Sequence, residues 1–145
     1  MLQVMIETPN IGPWVPWRSR LDVEGCDLPG VYLLGQFTNG APPQVDAGAP
    51  EVIYVGETCD QTLAKRWYQF NRSAFLQKSG HSGGWTFAAE FCQSQIVEPF
   101  DWLYVAAYPV DMDEPRRSAH IRFVERWLLW TFVDRHNRLP RCNSK

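Results

Sequence analysis

The segment from Glu51 to Phe75 most constrains the fold, because its pattern predicts a strand that ends at a glycine and continues into a helix. Residues 52–55 are β-branched or aromatic, and Gly56 follows them. Thr58 and Gln61 have the spacing of a capping box, which predicts a helix start. The helix that follows has one apolar face at the helical period, formed by Leu63, Trp67, Phe70 and Ala74.

Residues with a phenol or a charged side chain lie on both sides of Gly56 in the sequence. Tyr54 leaves the predicted strand, and Arg66 lies at the edge of the apolar helix face. A glycine between them lets the backbone approach another group closely. The arrangement favours an anionic, phosphate-like ligand.

Composition limits the class of protein. A chain of 145 residues with 45% hydrophobic and 21% charged residues predicts one globular domain with a real core. The formal net charge of −2 is unlike that of a protein wrapped in nucleic acid, although a local basic cleft remains compatible with it.

The four cysteines predict neither a zinc ribbon nor a disulfide framework, because no two of them have a short paired spacing. The first residues do not resemble a secretion signal, and the apolar runs are too short to span a membrane. We therefore expect a cytoplasmic protein that does not enter a membrane.

The remaining segments predict an α+β fold. Residues 1–29 are expected to form an irregular arm with at most one short strand, and residues 30–145 the main domain. Strands are predicted at 30–36 and 102–110, and a helix from Pro115 to about His136. Residues 38–50, rich in Gly and Pro, are expected to form a mobile surface loop that is not required for folding.

Glu125 interrupts an apolar helical stripe. On a helical wheel it falls within about 60° of Ile121, Leu128 and Phe132. An unpaired carboxylate is costly to bury, so the acid either pairs with an arginine or serves as a metal ligand or catalytic acid. The wheel leaves these alternatives open, because the helix is also apolar on much of its other side. The neighbouring arginines are Arg122, Arg126 and Arg135.

Two tyrosines occupy mirrored motifs, Gly30-Val31-Tyr32 and Tyr54-Val55-Gly56. Taken singly, each tyrosine is more typical of strand packing than of a site. If the two strands pair antiparallel, both phenols come to one edge.

These motifs, followed by Arg66 on the next helix and Glu125 on a later one, resemble the GIY-YIG nuclease family. The closing segment 137–143 also resembles the tail of small stand-alone members, in which a late asparagine, here Asn143, reaches the active site. The resemblance covers about residues 30–143. It implies a small central three-stranded antiparallel sheet flanked by helices.

The activity implied by the resemblance is divalent-metal-dependent hydrolysis of DNA phosphodiester bonds. Glu125 would hold a single Mg²⁺ or Mn²⁺ ion, and Arg66 would bind the nonbridging phosphate oxygens. Tyr32 would act as, or position, the general base toward water, and Tyr54 would assist it through a hydrogen bond. Gly56, His81 and Asn143 would contact substrate.

The chain departs from the family pattern in several places. The two tyrosine motifs are unusually far apart, and Glu57 replaces a residue that is basic in many relatives. Phe70 stands where some members carry a histidine, a role that His81 in the following glycine-rich segment could take. A lone loop histidine is more often simply solvated. A metal-free hydrolase using His81 is the weaker alternative, because no nucleophile–base spacing supports it.

The rival hypothesis from another class is a non-catalytic nucleic-acid-binding or protein-interaction module on the same fold, which the seven tryptophans and acidic balance would suit. No second DNA-binding domain is visible in the sequence, so we expect DNA specificity to come from loops, the arm, a homodimer or a partner chain. Several basic residues are candidates for contacting DNA, namely Arg18, Arg20, Lys65, Arg72, Lys78, Arg116, Arg117 and Arg122.

Overall fold

The computed structural model describes residues 9–75 and 101–143. Its strands are β1 (Val15–Pro16), β2 (Gly30–Gln36), β3 (Val52–Thr58) and β4 (Leu103–Pro109). Its α-helices are α1 (Leu63–Phe75) and α2 (Arg116–His136), and a 3₁₀ helix spans Trp17–Asp22. The α+β class is confirmed.

The strands form one antiparallel sheet in the order β1-β4-β2-β3. The expectation of three strands is wrong for the described residues, because the arm adds β1, whose two residues pair with Val105 and Tyr104 of β4. So short a strand, ending in a proline, gives almost no periodic signal in the sequence. β3 forms the opposite edge of the sheet.

Helix α1 begins later than the capping-box spacing predicts. Thr58 and Gln61 do exchange hydrogen bonds, but they close a turn that precedes the helix. Thr62 is the cap: its Oγ1 accepts a hydrogen bond from Lys65 N at 3.1 Å. The predicted apolar face is confirmed, since Leu63, Trp67, Phe70 and Ala74 are fully buried.

Helix α2 ends where the sequence predicts. Asn137 adopts a left-handed conformation with φ of 54°, and its N–H bonds to Val133 O. Five apolar residues of the helix are buried against the sheet, namely Ile121, Val124, Leu128, Leu129 and Phe132.

The sheet separates two apolar clusters. Val31, Leu33 and Val55 face α2, whereas Tyr32 and Leu34, which alternate with them, belong to the cluster formed with α1. This alternation follows from the period of two in a strand.

The arm is built into the α1 side of the core. Trp17 is fully buried, contacts Phe70 edge to face at 5.4 Å, and donates a hydrogen bond to Asn71 Oδ1. The carbonyls of Cys26 and Leu28 accept hydrogen bonds from the first two N–H groups of α1. The arm therefore completes a helix end that would otherwise leave donors unsatisfied.

The loop at 38–50 also packs on the core, contrary to the expectation of a loop independent of it. Ala47 is buried in the cluster under α2. Asp46 pairs with Arg135 at 2.6 Å, and His136 Nε2 lies 2.7 Å from Gly48 O. Its contacts hold the C-terminal end of α2.

Candidate functional site at the β3 edge

The two predicted tyrosines meet at Gly56. Tyr32 lies opposite Gly56 in the β2–β3 register, and the Tyr32 and Tyr54 ring centroids are 5.9 Å apart. A Cβ placed on Gly56 would lie 2.5 Å from both rings. Gly56 thus makes room for the tyrosine pair, and a side chain there would collide with it. On this face the tyrosines, not a ligand, occupy the space that the glycine provides.

Tyr32 is fully buried. Burial raises the pKa of its phenol well above the usual value near 10, and the neighbouring Tyr54, which also hydrogen-bonds to it, raises the pKa further. The guanidinium of Arg66 lowers the pKa of Tyr32, but by less than burial raises it. At neutral pH the Tyr32 phenol is therefore protonated.

Tyr54 is partly exposed and connects the predicted site residues. Burial raises its pKa to about 12, with Arg66 lowering that pKa and Glu125 and Glu57 raising it. One phenol is thus within electrostatic range of an arginine on α1 and a glutamate on α2. Tyr32 and Tyr54 pack with α1, the helix of Arg66, on one side of the sheet. Glu125 lies on α2, which packs on the other side, and acts on Tyr54 through its charge.

Glu125 has an unusual environment for a carboxylate. Its side chain is 19% exposed, and its described ion-pair partner is Arg126, at 3.6 Å and with a 74% exposed side chain. Exposed pairs of this kind contribute little to stability. Burial, followed by the nearby charge of Glu57, raises the pKa of Glu125. A buried arginine as partner, one of the alternatives left open by the sequence, is not what the described residues show.

Glu57 belongs to the same site, although sequence reasoning treated it only as a departure from the family pattern. It lies opposite Val31 in the ladder, and its Oε2 accepts a hydrogen bond from Cys59 Sγ at 3.2 Å. Its charge raises the pKa values of Tyr32, Tyr54 and Glu125. The available signal was its position directly after Gly56, on the strand face opposite to Tyr54.

Arg66 has capacity for an anion. Its Nε is buried without a hydrogen-bond partner among the described residues, and its Nη1 donates to Gln69 at 3.2 Å. Arg66 and Arg122 line a common cavity of about 250 Å³. The other residues lining the cavity are Glu57, Thr58, Cys59, Asp60 and Gln61. Because the first N–H groups of α1 are already satisfied, arginine side chains supply the positive charge here.

Asn143 lies beside the site and anchors the chain terminus to it. Its Oδ1 accepts from Val55 N and its Nδ2 donates to Val55 O, both at 2.9 Å. Cys142 N adds a bond to Ile53 O. The side chain thereby covers part of the free edge of β3, and the second Nδ2 hydrogen remains for a ligand. His81 lies outside the described residues.

Two of these side chains are candidate ligands for a divalent cation. No group of three or more His, Cys, Asp or Glu side chains occurs within 9–75 and 101–143. Glu57 and Glu125, however, carry like charges that raise the pKa of Glu125. A cation between them would relieve that repulsion, and carboxylate oxygens are ligands that suit Mg²⁺.

Comparisons with known proteins add no assignment. No family model matches the chain, and no curated protein or solved structure matches it significantly. Among the described helices, none has the length and apolarity needed to cross a membrane. The GIY-YIG resemblance therefore stays a prediction.

Proposed function

We propose that this protein is a divalent-metal-dependent endonuclease that hydrolyses DNA phosphodiester bonds, as the GIY-YIG resemblance implies. The observation that carries the proposal is that Arg66 lines a cavity with Arg122 and also acts on the paired Tyr32 and Tyr54, whose ring centroids are 5.9 Å apart. These side chains come from four separate elements of the fold, and Glu125 on α2 also acts on Tyr54 through its charge.

The two arginines of the cavity are the anion-binding groups. Arg66 would bind the nonbridging oxygens of the scissile phosphate, since its guanidinium side chain lines the cavity and guanidinium groups bind phosphate through paired hydrogen bonds. Arg122, which lines the same cavity, would bind a neighbouring phosphate of the same strand. Together they offset the acidic residues of the cavity.

Glu125, with Glu57 beside it, would hold Mg²⁺ or Mn²⁺. The ion would supply charge stabilisation for the scissile phosphate and the leaving oxygen. The protein's own contribution is a carboxylate whose desolvation already disfavours its charged form. Binding of a cation would therefore compete with a proton on Glu125.

The tyrosines would orient the attacking water through hydrogen bonds. Tyr54 is partly exposed and faces both charged groups, whereas Tyr32 is buried behind it. This favours Tyr54 as the phenol that contacts water and Tyr32 as the residue that positions Tyr54. Because their pKa values are raised, both phenols are protonated at neutral pH and can donate hydrogen bonds. A bound cation would lower these pKa values.

Plasmid nicking tests the proposal. The purified chain should convert supercoiled plasmid into nicked and linear forms with Mg²⁺ or Mn²⁺, and excess chelator should abolish the conversion. Arg66→Lys keeps the charge but loses the paired geometry, so it should reduce the rate more than tenfold. A folded protein that binds DNA and cuts none with either metal would support the rival, a non-catalytic nucleic-acid-binding module.

The location of the protein in the cell and its binding partners are also proposals. We place the protein in the cytoplasm, where thiols stay reduced, because Cys26, Cys59 and Cys142 are free cysteines. DNA is the proposed macromolecular partner, and a further copy of the chain would supply added contacts.

A further inference from the structure

Helix α2 carries a second apolar surface, on the side that faces away from the sheet. Trp130 is 62% exposed and Phe123 50% exposed. Trp127 lies between them in the sequence, is half-buried against the core under α2, and has its ring 6.1 Å from that of Phe123. On a helical wheel Phe123 and Trp127 fall within about 60° of Trp130, roughly opposite to the buried Leu128 and Phe132. We name these three aromatic residues the α2 ridge.

Two opposite charges flank Trp130 symmetrically. Arg126 stands four residues before Trp130 and Asp134 four residues after it, and both are exposed. Both also fall within about 40° of Trp130 on the wheel. A twofold rotation that reverses the direction of the helix and leaves Trp130 in place brings the position of Arg126 onto that of Asp134. The ridge is thus complementary in charge to a second copy of itself.

We propose that the α2 ridge is a homodimer interface in which two α2 helices pack antiparallel with Trp130 at the twofold axis. Each Arg126 then exchanges its exposed pair with Glu125 for a pair with Asp134 of the other copy. This gives two equivalent ion pairs about 6 Å from the axis on either side. Trp130 fills the centre, where anchor residues in interfaces are commonly aromatic, and Phe123 lies farther out, about 10 Å from the axis. This inference does not depend on nuclease activity.

The size of the ridge predicts a weak dimer. Its two well-exposed aromatic rings offer roughly 100–150 Å² each. Even with flanking aliphatic groups, this is well below the ~800 Å² per partner of a standard interface. The dimer should therefore dissociate in the micromolar range and weaken as salt screens its ion pairs.

Analytical ultracentrifugation over a wide concentration range tests the interface. The full chain should show a monomer–dimer equilibrium, and Trp130→Ser should weaken it at least tenfold. Arg126→Asp and Asp134→Arg should each weaken it several-fold, because each places like charges opposite one another. Combining both reversals should restore the affinity to within about threefold of the original, since the pairs reform with exchanged signs. Lys65→Asp, an exposed charge reversal on α1, is the matched control and should leave the dimer dissociation constant unchanged.

Disulfide trapping fixes the register. In the proposed dimer, Trp130→Cys places its two thiols at the axis and should yield a covalent dimer under oxidation. Phe123→Cys places its thiols about 21 Å apart and should not cross-link. A chain that stays monomeric at high concentration, a double reversal that fails to restore dimerisation, or cross-linking through both cysteine variants would each overturn the proposal.

Discussion

Tyr32 lies directly across the β2–β3 ladder from Gly56, and its ring covers the place where a side chain at residue 56 would stand. The ring of Tyr54 closes the same space from the neighbouring position on β3. The glycine is therefore required by the packing of two phenols. Their positions, in turn, determine which of them reaches Arg66, Glu125 and water.

Gly56→Ala should push the tyrosine pair apart. Its Cβ would approach both rings to 2.5 Å, and we expect a loss of about 1–3 kcal/mol in unfolding free energy with a larger relative loss of cleavage. Gly40→Ala is the control, because its methyl group meets nothing within 4 Å and its cost arises from a φ of +87° alone. Chemical denaturation and nicking assays measure both effects. Equal loss of activity in the two variants would contradict the account.

The tyrosine pair should reduce stability at alkaline pH. The folded-state pKa values of Tyr32 and Tyr54 lie above the unfolded value near 10. Their stabilisation is thus fully present below pH 10 and is lost as pH rises through the folded-state values, about 12 for Tyr54. Tyr54→Phe should show a smaller fall in melting temperature from pH 10 upward. An unchanged pH profile would show that Tyr54 titrates normally.

Arg122 should contribute to DNA affinity more than its neighbour Arg126. Arg122 lines the cavity with Arg66, whereas Arg126 pairs with Glu125. Arg122→Gln should lower the slope of log affinity against log salt by about one phosphate contact, and Arg126→Gln should leave it nearly unchanged. Fluorescence anisotropy at nanomolar protein, where α2-ridge dimers dissociate, measures the slopes. Equal slopes for the two variants would remove Arg122 from the DNA surface.

Changes in the loop between β2 and β3 should reduce the unfolding free energy strongly only when they affect the second half of the loop. Replacing residues 45–49 by glycine and serine removes the buried Ala47 and the contacts to Arg135 and His136, and should cost more than ~2 kcal/mol. Deleting the exposed residues 42–44 should cost less than ~1 kcal/mol, since loop-closure entropy changes slowly with length. Thermal denaturation compares them, and an equally small loss in both would show that Ala47 is dispensable.

Periodicity predicts the elements that bury one regular face. The four apolar residues of α1 and the end of α2 at Asn137 follow from helical spacing and from the tolerance of asparagine for a left-handed φ. The arm escapes prediction, because Trp17 acts through contacts with α1, fifty residues later in the chain, and β1 is two residues long. Local patterns carry no information about such pairings.

The candidate site likewise contains residues that the sequence predicts and features that only the fold reveals. Two motifs and two single residues lead to Tyr32, Tyr54, Arg66 and Glu125, and the charges of Arg66 and Glu125 both act on Tyr54 in the structure. Glu57 was missed as a participant, because its influence depends on the distance to Glu125 across two elements. The relative burial of the two phenols also comes only from the fold, and the roles proposed for them here depend on it.

The most direct test of the proposed function is the substitution Glu125→Gln, measured as metal-free stability and as Mg²⁺-dependent cleavage on the same protein. The raised folded-state pKa means that the ionised carboxylate destabilises the metal-free fold above that pKa, and that this effect vanishes below the unfolded value near 4.5. The variant should therefore be as stable as the original protein or more stable at pH 7. Its cleavage should be lost, and Glu51→Gln, an exposed acid at the start of β3, should leave both unchanged. A Glu125→Gln variant that is destabilised by about 3–5 kcal/mol and still cleaves DNA would show that Glu125 neutralises a buried cation, and would contradict its assignment as the metal ligand.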